Sequence, residues 1–295
     1  DLNNYGTMSA LSNTVNSLVF ERNYPKFYKR DFVSINTQRE LATGLQAYLA
    51  LDFNKNYALT NSTLYKFRDY DDREFTSNNP LNPTDDSPLF PNYQSTSITA
   101  GLTYTFGQKY ITRPDAKIYT EAKFPRLNLT YKKGINGILG SDTDYDLVTF
   151  EVYQERIGLG LFGYTSLVVG AGKFLNNNKL YYPDFKHFSA NRAMFFPPNL
   201  RKFRFLDFYK YSANEHYLEA HLEHNFAGFI FNKVPLLRKL KLEEIIGLNY
   251  LTQPQKRDYT EFYFGVQRLA FGISYGFAYD GNKKVDQGFR FAYSF

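Results

Sequence analysis

From Gly288 to Phe295 the chain alternates without a fault. Phe289, Phe291, Tyr293 and Phe295 fall on one side, and Gly288, Arg290, Ala292 and Ser294 on the other. Strand side chains point to opposite faces with period two, so this segment has one wholly apolar face and one that is small or charged. The preceding stretch repeats the pattern, with Phe271, Ile273, Tyr275, Phe277 and Tyr279 against Gly272, Ser274, Gly276 and Ala278. Two folds use such strands. A soluble sandwich turns the bulky face into its core, whereas a membrane barrel turns it to lipid and lines its lumen with the small polar face.

Alternation of this kind recurs along the chain. Leu45, Ala47, Leu49, Leu51 and Phe53 oppose Gly44, Gln46, Tyr48, Ala50 and Asp52, and Ile98 to Gly107 behaves likewise. From His216, Leu218, Ala220, Leu222 and Phe226 are expected outward, with Tyr217, Glu219, His221, Glu223 and Asn225 inward. About eleven strands result. Residues 1–36 read as an irregular segment in which Leu11, Val15, Leu18 and Val19 could form a short helix, and 37–295 as the barrel. Asn54, Lys55 and Asn56 are expected to form a tight turn between strands. The Asp- and Pro-rich stretch 69–95 and the aromatic, basic stretch 175–212 read as long external loops, with further long connections after 134, 252 and 280.

The inward faces carry Lys132, Glu219, Glu223 and Arg290, which suit a wet lumen and would be costly in a dry core. Long loops on one side are also the habit of outer-membrane barrels. The fold expected is therefore all-β, an antiparallel transmembrane β-barrel. Phe271, Ile273, Tyr275, Phe277, Phe289, Phe291, Tyr293 and Phe295 are expected to face lipid in its last two strands. The 26 Tyr and 29 Phe supply strands and interfacial girdles, and no stretch has the roughly 18 apolar residues of a spanning helix. Such barrels hold an even number of strands, so upstream strands are expected beyond this stretch of polypeptide. The opening residues have neither the basic nor the apolar region of a signal peptide, which points to processing or to a longer polypeptide.

With no cysteine, disulfides, thiol catalysis and thiolate metal sites are excluded together. The net charge of +6 reads as a solvated basic surface, or as attraction to lipopolysaccharide phosphates. No Lys/Arg cluster marks a nucleic-acid motif, so no nucleic-acid partner is expected. There is no Gly-x-Ser-x-Gly, no phosphate-binding glycine loop and no His-Glu-x-x-His helix, and hence no enzyme, metal or cofactor is expected. Glu219, His221 and Glu223, about 6.6 Å apart along one strand face, could hold a divalent metal. They read more simply as a polar stripe that pairs with Arg201, Lys202 or Arg204 of the long loop. Asp69, Asp71, Asp72 and Glu74 offer calcium-type oxygens, or a solvated loop.

The run Phe203-Arg204-Phe205-Leu206-Asp207-Phe208-Tyr209, with Glu219 to His224 and Asn232-Lys233-Val234-Pro235-Leu236-Leu237-Arg238-Lys239-Leu240, resembles a Bacteroidota outer-membrane family. In that family a carboxypeptidase-regulatory-like domain precedes an uncharacterised barrel. More distantly, the chain is similar to the BamA-like assembly and translocation superfamily of sixteen-strand barrels. That resemblance makes 213–226 the twelfth strand and 175–212 a loop folded into the lumen, where the Arg of an Arg-Gly-Phe/Tyr motif meets an acidic wall residue. Arg204 is the nearest match, with Phe205 in place of the superfamily's Gly. The function implied is a non-enzymatic outer-membrane protein in biogenesis, protein assembly or an envelope complex, with outer-membrane lipid, lipopolysaccharide and other proteins as partners. The alternative is a passive or plugged channel with a basic lumenal loop.

Overall fold

A computed structural model describes residues 1–3, 6–120 and 123–293, so the expected outward Phe295 lies outside the described residues. Helix α1 (Ala10–Phe20) begins where the Ser9 hydroxyl accepts the Ser12 N–H at 3.2 Å, and it ends at Glu21 in the left-handed conformation. Strands β1 (Tyr28–Ala42) and β2 (Leu45–Ala58) follow, then β3 (Tyr93–Thr105) and a small hairpin of β4 (Tyr110–Thr112) and β5 (Lys117–Tyr119). Next come β6 (Arg126–Gly134), β7 (Asp144–Gly158), β8 (Tyr164–Lys179) and the two-residue β9 (Phe195–Phe196). The chain closes with β10 (His216–Asn225), the short α2 (Pro235–Arg238), β11 (Glu243–Gln253), β12 (Lys256–Arg268), β13 (Phe271–Asp280) and β14 (Lys283–Tyr293).

Except for β4 and β5, all strands belong to one sheet in the order β1-β2-β3-β6-β7-β8-β10-β11-β12-β13-β14-β9. Every long neighbour is antiparallel; β9 alone is parallel, setting Phe195 opposite Phe291 at the edge of β14. The fold is all-β and antiparallel, as the alternation implied. Among the described residues β1 and β14 do not pair with each other.

Three boundaries differ from expectation. The first strand starts at Tyr28, inside the segment read as irregular. It lies at the sheet edge with exposed residues on both faces, so burial imposes no clean alternation on it. The first turn falls at Thr43 and Gly44, where Gly44 has φ +79° and a Cβ would stand 2.5 Å from the Thr105 carbonyl oxygen. Glycine alone meets both demands without strain. Asn54, Lys55 and Asn56 instead stay in β2, paired to Phe32, Asp31 and Arg30 on one side and to Ser95, Gln94 and Tyr93 on the other. Ladder bonds on both edges outweigh their turn preference.

The loops are 59–92 and 180–215, against the expected 69–95 and 175–212. The expected long connections after 252 and 280 are two-residue turns, at Pro254–Gln255 and Gly281–Asn282. One rim thus carries 59–92, 135–143, 180–215 and those two turns. The opposite rim carries 43–44, 106–125, 159–163, 226–242 and 269–270. Residues 1–3 and 6–27 lie with the loops of the first rim. Asn78 ties them down by donating to the Phe27 and Leu59 carbonyls at 2.6 and 2.7 Å, and Tyr209 donates its hydroxyl proton to the Asp1 carboxylate at 2.9 Å.

Outward positions across the sheet are bulky, apolar and exposed: Phe271 is 61% and Phe289 53% accessible, and Leu49, Leu102, Phe150, Leu222, Ile246 and Phe264 are also exposed. Ile273 is exposed too, while Tyr275, Phe277, Phe291 and Tyr293 are partly covered by outward neighbours. The inner face is different. Tyr217, Leu251, Tyr259 and Ala278 of the wall pack with Phe188, Phe203, Phe205, Leu206, Phe208 and Tyr211 of loop 180–215 into one buried cluster. The loop, rather than a second sheet, supplies the core.

Candidate functional site

The docking of that loop is built around a carboxylate. Glu261, on the inward face of β12 between Tyr259 and Tyr263, is fully buried. It accepts the backbone N–H of Arg204 at 2.7 Å and of Phe205 at 2.8 Å. Tyr259 and Asn249 add their hydroxyl and amide protons, each at 2.8 Å. A buried carboxylate costs several kcal/mol unless its lone pairs are filled, and four donors fill them. Two are main-chain groups that the loop would otherwise leave unpaired.

Arg204 extends the network in the other direction. Its guanidinium donates to Glu223 at 2.9 Å and to the Ser274 hydroxyl at 2.7 Å, and lies 3.5 Å from the centre of the Tyr263 ring. Tyr263 also donates to Glu223, at 2.9 Å. Arg290 of β14 donates to the Arg204 carbonyl at 2.8 Å while its guanidinium sits 4.0 Å over the Phe205 ring. Strands β10 to β14 are therefore tied to one turn of the loop. The wall makes space for it: a Cβ on Gly276 would lie 2.7 Å from the Phe205 ring.

The other expected residues take separate places. Arg201 grips Glu151 of β7 with two bonds of 2.9 and 2.7 Å and stacks 4.3 Å from the centre of the Tyr153 ring. Glu219 meets Lys186 of the loop at 3.1 Å, rather than any of the three cations expected for it. His221 donates from Nδ1 to Asn249 at 3.0 Å, packs its ring 4.6 Å from that of Phe203, and holds Nε2 3.7 Å from Glu219. Lys202 differs from expectation: it is half-buried and forms no ion pair among the described residues, and burial lowers the pKa of its ammonium. The Glu219, His221 and Glu223 row does not converge, since Glu223 turns to Arg204 and Glu219 to Lys186. In the acidic loop Asp69 pairs with Lys66 at 2.6 Å and Asp72 with Arg73 at 2.9 Å.

Glu261, Glu151 and Lys186 hold the loop to the sheet and are the residues of this network that sequence reasoning missed. A signal existed for the first. Within Tyr259-Thr260-Glu261-Phe262-Tyr263, a carboxylate shares a face with two tyrosines, and a charge there demands partners from elsewhere in the chain. Nothing in the network resembles a nucleophile with its base or a set of converging metal ligands. Its chemistry is that of a fixed joint between loop and wall.

The fold is similar to that of a solved BamA from Haemophilus ducreyi lacking POTRA domains 1-3. The TM-score is 0.50 and the identity 16%, over 90% of this chain and 53% of that one. This chain thus spans about half the length of the BamA chain. No curated protein matches it. Residues 1–266 match the model of the C-terminal domain of a family of unknown function, DUF5686. With most of its length in that match, the chain belongs to the DUF5686 family.

Proposed function

We propose that this chain is the carboxy-terminal wall of an outer-membrane β-barrel, sixteen-stranded when upstream strands are included, whose loop 180–215 is a fixed internal plug. The exposed apolar outer face would meet lipid. The protein would act without catalysis, in outer-membrane biogenesis or as a subunit of an envelope complex, together with protein partners and a domain preceding the barrel. The observation that carries this reading is the Glu261 carboxylate, which binds two successive main-chain N–H groups of the loop while Arg204 reaches back to Glu223. A loop held through its own backbone serves a stable plug better than a mobile gate.

A second reading, a passive transport channel running past the plug, is favoured by a polar hollow of about 400 Å³ on the inner face beside the plug. Gln38, Tyr48, Thr103, Asn128, Thr130 and Glu151 line it. Planar-bilayer recording of the full-length protein separates the two. Silence in the native protein, with co-purifying envelope proteins, supports the assembly role. A steady pore in the native protein would overturn it in favour of the channel.

A further inference from the structure

The connector 226–242 joins β10 to β11 on the rim opposite the long loops. It is pinned at its start: the Phe226 N–H donates to the Glu244 carbonyl at 2.9 Å and the Phe231 N–H to the Glu244 carboxylate. From there it folds outward over the sheet, away from the lumen. Phe226, Ile230 and Phe231 form one side of a groove of about 420 Å³, and the outward Ile246, Phe264 and Ile273 of β11 to β13 form the other. Beyond the groove Leu236 is 78% exposed, and Leu161 in the neighbouring turn is 86% exposed. The two turns touch, with the Phe162 and Phe229 rings 5.0 Å apart.

Charge says what covers these side chains. The connector carries Lys233, Arg238, Lys239 and Lys241 and no carboxylate between 226 and 242. Lys233 lies 3.8 Å from the centre of the Phe229 ring, so one cation rides directly on the apolar cluster. Leucines and phenylalanines interleaved with cations that form no ion pair among the described residues suit a surface whose hydrocarbon lies within a few ångströms of negative charge, which is the headgroup layer of an anionic bilayer. A protein partner would match the cations but would not extend around the rim to Leu161 and Leu269, the latter 96% exposed in the β12–β13 turn.

We propose that the connector 226–242 is an interfacial lipid site. Its cations hold the phosphates of anionic glycerophospholipids in the leaflet at this rim, and an acyl chain lies in the groove between the connector and β11 to β13. This rests on the membrane-barrel reading above. Each cation near an anionic surface is worth roughly a fivefold gain in local lipid concentration, so the four together should produce clear selection of headgroups.

These 295 residues hold no tryptophan, and with any tryptophan upstream in the full-length protein changed to Phe, one introduced indole is a single reporter. Leu236→Trp and, separately, Phe264→Trp on the wall are introduced into the full-length protein in phosphatidylcholine vesicles doped with phosphatidylglycerol, with bromine on the acyl chains of one lipid or the other. The expected result is blue-shifted, quenched emission from both reporters. At position 236 alone, quenching by the brominated phosphatidylglycerol should exceed its bulk share several-fold, and should return to that share when Lys233, Arg238, Lys239 and Lys241 are all changed to Gln. Unquenched, water-like emission from Leu236→Trp beside a quenched Phe264→Trp would overturn the lipid site and leave the barrel standing. Quenching at position 236 in proportion to bulk composition would also overturn it, by removing the selection of anionic headgroups. If neither reporter is quenched, the membrane reading fails and the lipid site fails with it.

Discussion

Glu261 and Arg204 are joined through the main chain before their charges are considered: the carboxylate accepts the Arg204 N–H at 2.7 Å and, with its other oxygen, the Phe205 N–H at 2.8 Å. The arginine side chain leaves this carboxylate and pairs with Glu223. One residue thus fixes the position of the loop, and another fixes its orientation.

Glu261→Ala should therefore release the loop more completely than loss of any single ion pair. It strands two buried N–H groups, and at about 1–3 kcal/mol for each unsatisfied donor the docked loop should lose roughly 3 kcal/mol. Limited proteolysis of the folded protein should cut within 180–215 in Glu261→Ala far faster than in the native protein. Glu261→Gln keeps one acceptor oxygen and should fall between the two; equal cutting rates in all three would show that the joint carries no load.

Arg204→Lys is not conservative here. A single ammonium cannot reach both Glu223 and Ser274 while stacking on Tyr263. In a double-mutant cycle with Glu223→Gln, read by thermal unfolding in detergent, the pair should show a coupling of about 1–3 kcal/mol. Strict additivity would place the value of Arg204 in its ring contact rather than in the ion pair.

Gly276 tests the packing of loop on wall. A Cβ there would overlap the Phe205 ring at 2.7 Å, and such overpacking costs about 1–3 kcal/mol. Gly276→Ala should lower the melting temperature, and adding Phe205→Leu should restore part of it. If the second change only adds to the damage, the loop is not the neighbour that matters.

His187 gives the loop a pH dependence. Burial lowers its pKa from 6.5 to about 4, while Nε2–H donates to the Tyr182 carbonyl at 3.0 Å and Nδ1 lies 2.7 Å from the Ser212 hydroxyl. The folded loop holds the neutral ring, so the released state binds more protons between these two values. Stability is thus full above pH 6.5 and falls as the pH drops toward 4, by roughly 3 kcal/mol in all. Proteolysis of 180–215 should accelerate across that window and should lose its pH slope in His187→Gln. An unchanged slope in that variant would assign the titration to another group.

Much of this molecule was legible before its coordinates. Which side chains face out along β10 and β12 to β14 follows from period-two alternation, and that is a local property: each residue's face is set by its neighbours in the chain. The inward stripe of Glu219, His221 and Glu223 was readable for the same reason, as was the long basic loop that faces it. Local signals failed where pairing overrode them, as at Asn54 to Asn56, which two flanking strands hold extended.

What only the tertiary structure decided is which partner each inward charge takes. Arg201 meets Glu151 across 50 residues of chain, Arg204 meets Glu223 across 19, and its backbone meets Glu261 across 57. Every inward carboxylate looks equally available to a loop cation in the linear chain. The choice depends on strand order, on register and on the space beside small residues such as Gly276, and these exist only once the sheet has assembled around the loop.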